Sequence, residues 1–122
     1  MSSKLQRHEA AQRHSRALRE AQGAVTLSFS TREVVDYLAA YPAQLGGSRE
    51  VVAVEIKTGK SYLSARQKQW VKKPALDTYV EHWVFVNGFW ALKKVDEYLV
   101  VNRRNGRPRE IDLFLPDPPE RP

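Results

Sequence analysis

The chain of 122 residues carries a formal net charge of +6, with 42% apolar and 28% charged residues. That length suits one domain with a core of its own, and the positive balance favours a polyanionic partner, nucleic acid ahead of acidic lipid. With no cysteine, disulfides, thiolate metal sites and cysteine nucleophiles are excluded; no apolar run approaches transmembrane length and the start is polar and basic, so no membrane association and a cytoplasmic location are expected.

Residues 4–22 read as a first helix of good helix formers, stopped by Gly23. Its arginines, Arg13 and Arg16 among them, are mostly a solvated face, with one flank suited to phosphates. Glu9 and Gln12, three apart, share a side. His8 and His14 read as surface residues. A first strand follows at 24–29, where Val25, Leu27 and Phe29 alternate with Thr26 and Ser28.

Residues 34–41 read as the second strand, with Asp36 inside an apolar run against both propensity and desolvation. Such violations concentrate at functional sites. Pro42 ends the strand, and Leu45-Gly-Gly-Ser48 makes a hairpin to Val51-Val-Ala-Val-Glu-Ile-Lys-Thr-Gly59, a buried strand. Alternation puts Glu55 and Lys57 on one face and Ile56 on the other. The hairpin makes the two strands antiparallel neighbours, so Asp36 can lie beside Glu55. Two carboxylates and a lysine at a sheet edge can hold a divalent metal and a water.

Lys60 lies in the polar loop that follows. Ser64-Ala-Arg-Gln67 has the form of a capping box for a second, basic helix over 65–73 that carries Arg66, Lys68 and Lys72. Gln67 completes the cap and also lies close enough to the Lys57 strand end to touch a phosphate or a metal-bound water. Residues 79–86 read as a strand, Asn87-Gly88 as a hairpin turn and 89–92 as the return arm, gathering Trp83, Phe85, Phe89 and Trp90 as packed aromatics, of which an exposed subset could instead form a dimer face. A short element at 95–101 precedes a basic turn containing Arg103 and Arg104, suited to phosphate contact. Residues 111–115 read as an edge strand and 116–122 as a disordered Pro-rich tail.

The order helix, strand, Asp-bearing strand, hairpin, Glu-x-Lys strand, helix, strand resembles the PD-(D/E)xK nuclease superfamily over about residues 4–92. Size and layout look most like the small archaeal-type Holliday junction resolvases, which phages also carry. The resemblance implies an α/β fold, a restriction-endonuclease-like mixed central sheet flanked by helices (αβββαβ core), as a single nuclease domain over 1–115. It implies a homodimer that cuts four-way DNA junctions and leaves 5′-phosphates. Asp36, Glu55 and the Ile56 carbonyl would bind Mg²⁺, with Mn²⁺ able to substitute, and Lys57 would act on the attacking water. The family's helix glutamate falls at Gln12, with Glu9 one turn earlier as the other candidate ligand. Its active-site serine falls at Ser28 or Ser30, and Val35 precedes the aspartate in place of proline. Phosphate contacts would come from Arg13, Arg16, Lys60, Arg66, Lys68, Lys72, Arg103 and Arg104. Competing readings are another nuclease of the superfamily (repair, flap or restriction-like), a DNA-binding module that has lost cleavage, and an RNA-binding protein supported by charge alone.

Overall fold

The computed structural model describes residues 4–29, 33–42, 50–59 and 62–100. Ser30, the 45–48 connection, Lys60, the basic turn with Arg103 and Arg104, the expected strand at 111–115 and the expected tail at 116–122 lie outside the described residues. The elements run α1 (Lys4–Ala21), β1 (Val25–Ser28), β2 (Tyr37–Tyr41), β3 (Glu50–Thr58), α2 (Ala65–Lys72), β4 (Asp77–Val86) and β5 (Phe89–Tyr98). They form an α/β fold with one five-stranded mixed sheet in the order β1-β2-β3-β4-β5. Only β3 and β4 are parallel, and α2 lies in the crossover that a parallel pair requires.

Local chemistry sets the element ends. Gly23, at φ 94°, ends α1. Gly23 N–H donates to the Glu20 carbonyl and Ala24 N–H to the Arg19 carbonyl, both at 3.0 Å, which satisfies two otherwise orphaned helix carbonyls. Ser64 caps α2: Gln67 N–H donates to Ser64 Oγ at 3.1 Å and Ser64 N–H to Gln67 Oε1 at 3.0 Å. Asn87 (φ 53°) and Gly88 (φ 81°) both take the left-handed conformation of a tight hairpin turn.

Two strand assignments differ from expectation. Asp36 is not inside β2, which begins at Tyr37. Asp36 forms a bend whose backbone N–H still donates to the Val54 carbonyl at 3.0 Å, so the carboxylate is free to turn inward. The 89–92 arm and the expected 95–101 element, as far as Tyr98, are one strand, β5, because both segments pair with β4 across an irregularity at His82/Trp83; residue 101 lies outside the described residues. Lys93 and Lys94 interrupt the apolar pattern there but are exposed, as an edge strand permits.

The sheet's two faces have different covers. Tyr37, Tyr41, Tyr79, Val52, Val54, Ile56 and Trp83 form the main core, with Ala11 of α1 packed among them. A buried polar network pins α1 to this face. Glu81 accepts from Ser15 Oγ at 2.5 Å, Arg19 Nη2 at 2.6 Å and Trp83 Nε1 at 2.9 Å. Arg19 Nη1 donates to Tyr41 OH at 2.8 Å, and Tyr37 OH lies 2.5 Å from Ser15 Oγ. Arg19 and Glu81 are 1% and 2% exposed, so neither charge is screened by water. On the opposite face α2 meets the sheet through Trp70 Nε1, which donates to Thr78 Oγ1 at 2.8 Å, and through Gln67. Among the described residues no helix is long and apolar enough to cross a membrane.

Candidate active site

The C-terminal end of β3, the bend before β2 and the start of α2 enclose an open cavity of about 1100 Å³, with α1 along one side. Asp36, Glu55, Ile56, Lys57 and Gln67 all line it. Glu55 and Lys57, on one face of β3 by alternation, stand 3.1 Å apart from Oε2 to Nζ and are nearly buried. Asp36 Oδ2 accepts the Ile56 N–H at 2.7 Å, which carries the second carboxylate across from the neighbouring segment.

Gln67 ties these groups together. Its Nε2 donates to Glu55 Oε2 at 2.7 Å and to the Val34 carbonyl at 3.1 Å. Its Oε1 accepts from Lys57 Nζ at 2.9 Å as well as from Ser64 N–H at 3.0 Å. Gln67 completes the cap as expected, and at the Lys57 strand end the same side chain bonds Lys57 and Glu55.

The acids titrate in opposite directions. Burial, then the charge of Asp36, pushes Glu55 up to about 7, with Lys57 opposing. Burial also works to raise Asp36, but the hydrogen bond and charge of His8 and the Ile56 N–H outweigh it and hold Asp36 below its ordinary value. His8 is raised in turn, chiefly by its hydrogen bond to Asp36, against burial. Two acids driven apart in this way are a frequent mark of functional sites.

His8 is the residue that sequence reasoning missed. It is not a surface residue: it lines the cavity, half-buried, with Nε2 3.1 Å from Asp36 Oδ2. Gln12, one turn on, lines the same wall and also reaches Ser28 Oγ at 3.5 Å. Glu9, expected as a possible ligand, is exposed and stands outside the cavity lining, because one residue along a helix is a rotation of about 100° from His8. Lys4 also lines the cavity and was not singled out.

Of the described phosphate-contact candidates, Arg66 lines the cavity, while Lys68 and Lys72 are exposed elsewhere on α2. Arg13 is exposed on α1 and away from the cavity. Arg16 is engaged locally, with Nε donating to Thr26 Oγ1 at 3.0 Å.

The donor set can be weighed against a divalent cation. Among the described residues no three His, Asp or Glu side chains stand in a ready ligating arrangement. The chemistry still fits: two carboxylates and a backbone carbonyl are the hard oxygen donors that Mg²⁺ takes. After burial, the charge of Asp36 is the next cause that pushes Glu55 up, and a dication between the two acids would relieve that repulsion.

No protein-family model, curated protein or solved structure matches the chain.

Proposed function

We propose that the chain is a Mg²⁺-dependent, structure-selective DNA endonuclease of the PD-(D/E)xK type, most like the Holliday junction resolvases, with Mn²⁺ able to substitute. The observation that carries this reading is the meeting of Asp36 with Glu55 and Lys57 in one cavity, from segments 19 residues apart in the chain. A pure binding module has no use for two acids beside a phosphate path. The net charge of +6, with Arg66 and Lys4 at the cavity, favours a polyanionic substrate.

Asp36, Glu55 and the Ile56 carbonyl would hold the ion. When bound, it supplies charge neutralisation and Lewis-acid polarisation at the scissile phosphate. Lys57, steadied between Glu55 and Gln67, orients the attacking water and offsets the negative charge that builds in the transition state. The water oxygen bonds to phosphorus as the P–O3′ bond breaks, and the 3′ oxygen leaves as a hydroxyl, so the other product keeps a 5′-phosphate. His8 and the Ile56 N–H keep Asp36 ionised for this task. A homodimer would present two such sites to the two strands of a four-way junction.

The test compares a synthetic four-way junction with linear duplex of the same sequence, in Mg²⁺ and in Ca²⁺. Cutting of the junction in Mg²⁺ alone, abolished by Glu55→Ala with binding retained, is the expected result. A chain that cuts no DNA in Mg²⁺ or Mn²⁺, or a Glu55→Ala variant that cuts like the wild type, would overturn the reading.

A further inference from the structure

Beside the acid cavity lies a second depression of about 460 Å³ that the proposed chemistry leaves unused. Lys4 and Arg7 of α1, Thr58 and Gly59 at the end of β3, and Phe85 and Trp90 of the β4–β5 hairpin line it. Phe85 and Trp90 are cross-strand partners packed edge to face, with ring centroids 5.2 Å apart and planes at 61°. Trp90 packs beside Phe85 along the ledge, and Phe85 remains 58% exposed. Lys4 and Thr58 line both depressions, so the aromatic ledge continues the acid cavity.

We propose that this ledge binds an unpaired nucleotide of the DNA, its base stacked on Phe85 and its phosphate met by Lys4 and Arg7. An exposed ring with cations beside it is the pairing that single-stranded nucleic acid uses, because every base has a face to stack and every link a negative charge. The inference rests on the nuclease reading of the adjoining cavity and narrows its substrate. The duplex should be interrupted beside the scissile phosphate, as at a branch point or a flap, with little regard to sequence.

A second copy of the chain is the other candidate occupant. A twofold contact between like patches would bring two copies of Lys4 and Arg7 into one interface, whereas a polyanion meets them with opposite charge. The charge and the continuity with the acid cavity both favour DNA.

The test is fluorescence anisotropy in EDTA, with a blunt duplex and the same duplex carrying a short single-stranded thymidine arm. The arm is expected to tighten wild-type binding about tenfold. Phe85→Ala should reduce that preference to within about twofold while leaving blunt-duplex affinity unchanged, and Phe85→Trp should keep it. Matching circular dichroism melts confirm that each variant is folded. A Phe85→Ala variant with the wild-type preference overturns the inference. So does one whose mass by sedimentation drops while the DNA preference stays, since the ledge then belongs to a protein contact. The ratios are read without cleavage, so a failed cutting assay ends the nuclease reading and leaves them standing.

Discussion

Gln67 Nε2 donates to Glu55 Oε2 at 2.7 Å while the same amide's oxygen closes the cap of α2. The register of a helix and the position of an acid are therefore set by one side chain. Capping alone and site support alone can be separated by comparing two variants. Ser64→Ala removes one half of the cap and should cost about 1 kcal/mol of stability with cutting nearly unchanged. Gln67→Ala should cost a similar amount and also slow cutting about 10- to 100-fold, because Glu55 and Lys57 lose the group that fixes them. Equal cleavage rates in the two variants would reduce Gln67 to a capping residue.

Lys57 Nζ has two oxygens within 3.1 Å, from Glu55 and Gln67, and is nearly buried. Its replacement by Met keeps the length of the side chain and removes the charge. On the proposed nuclease reading, the expected outcome is a loss of cutting of at least about a hundredfold with junction affinity held within about threefold, since one transition-state interaction would disappear while the phosphate contacts would remain. Single-turnover cleavage and anisotropy binding together measure this. A matching fall in affinity would make Lys57 a binding residue instead.

The Glu55 carboxyl, pushed up to about 7 from an ordinary 4.5, gives the metal-free protein a pH dependence of definite sign. Between those values the folded state holds a proton that the unfolded state has released. Stability is thus fully present below about 4.5 and declines as pH rises through about 7, by about 3 kcal/mol if Glu55 acts alone. His8, also raised, adds in the same direction above its ordinary 6.5. Asp36, lowered, has the opposite sign, and its contribution is lost only as pH falls below 3.8. Melting in EDTA should therefore drop from about pH 5 to about pH 8. Glu55→Gln should flatten most of the drop, and Mg²⁺ should stabilise the wild type more at the upper end than at the lower. A wild-type melting temperature constant across that range would contradict the account.

The local signals in the chain carried far. Glu55 and Lys57 could be placed on one face because a strand has period two, and Ser64-Ala-Arg-Gln67 announced its own cap. Asp36 was read as a strand residue because Val34 and Val35 continue the apolar run into Tyr37. At the bend Asp36 accepts a hydrogen bond from Ile56, 20 residues away, which no local pattern records. His8 was lost for the same reason: alone on a polar helix it looks solvated, and its partner Asp36 is 28 residues on. Its spacing of four from Gln12, the position that the resemblance placed nearest the site, was the one available signal.

His8 also allows a direct reading of what it does for Asp36. The imidazole's hydrogen bond and charge both hold the carboxyl below its ordinary range. In His8→Ala the Asp36 carboxyl should titrate at higher pH, and carbon-13 NMR of the labelled side chain follows that shift in the metal-free protein. His8→Gln, able to donate without a positive charge, should give an intermediate position. An Asp36 titration indifferent to all changes at residue 8 would show that the Ile56 N–H alone keeps the acid ionised.

The frame that brings α1 to the cavity depends on Arg19 and Glu81, joined at 2.6 Å with almost no access to water. A buried pair of this kind adds little over well-packed apolar residues, but removing one member strands the other. Glu81→Leu should therefore cost about 3–5 kcal/mol, and it also leaves Trp83 Nε1 without its acceptor and Ser15 with Tyr37 alone. The double replacement Arg19→Met with Glu81→Leu should recover much of that loss. Urea denaturation of the two single variants and the double variant gives the coupling energy. Strict additivity would mean that the two residues stabilise α1 independently. Strong coupling would show that the pair acts as one unit in fixing α1, the helix that carries Gln12 and His8, seven and eleven residues before Arg19, to the acid cavity.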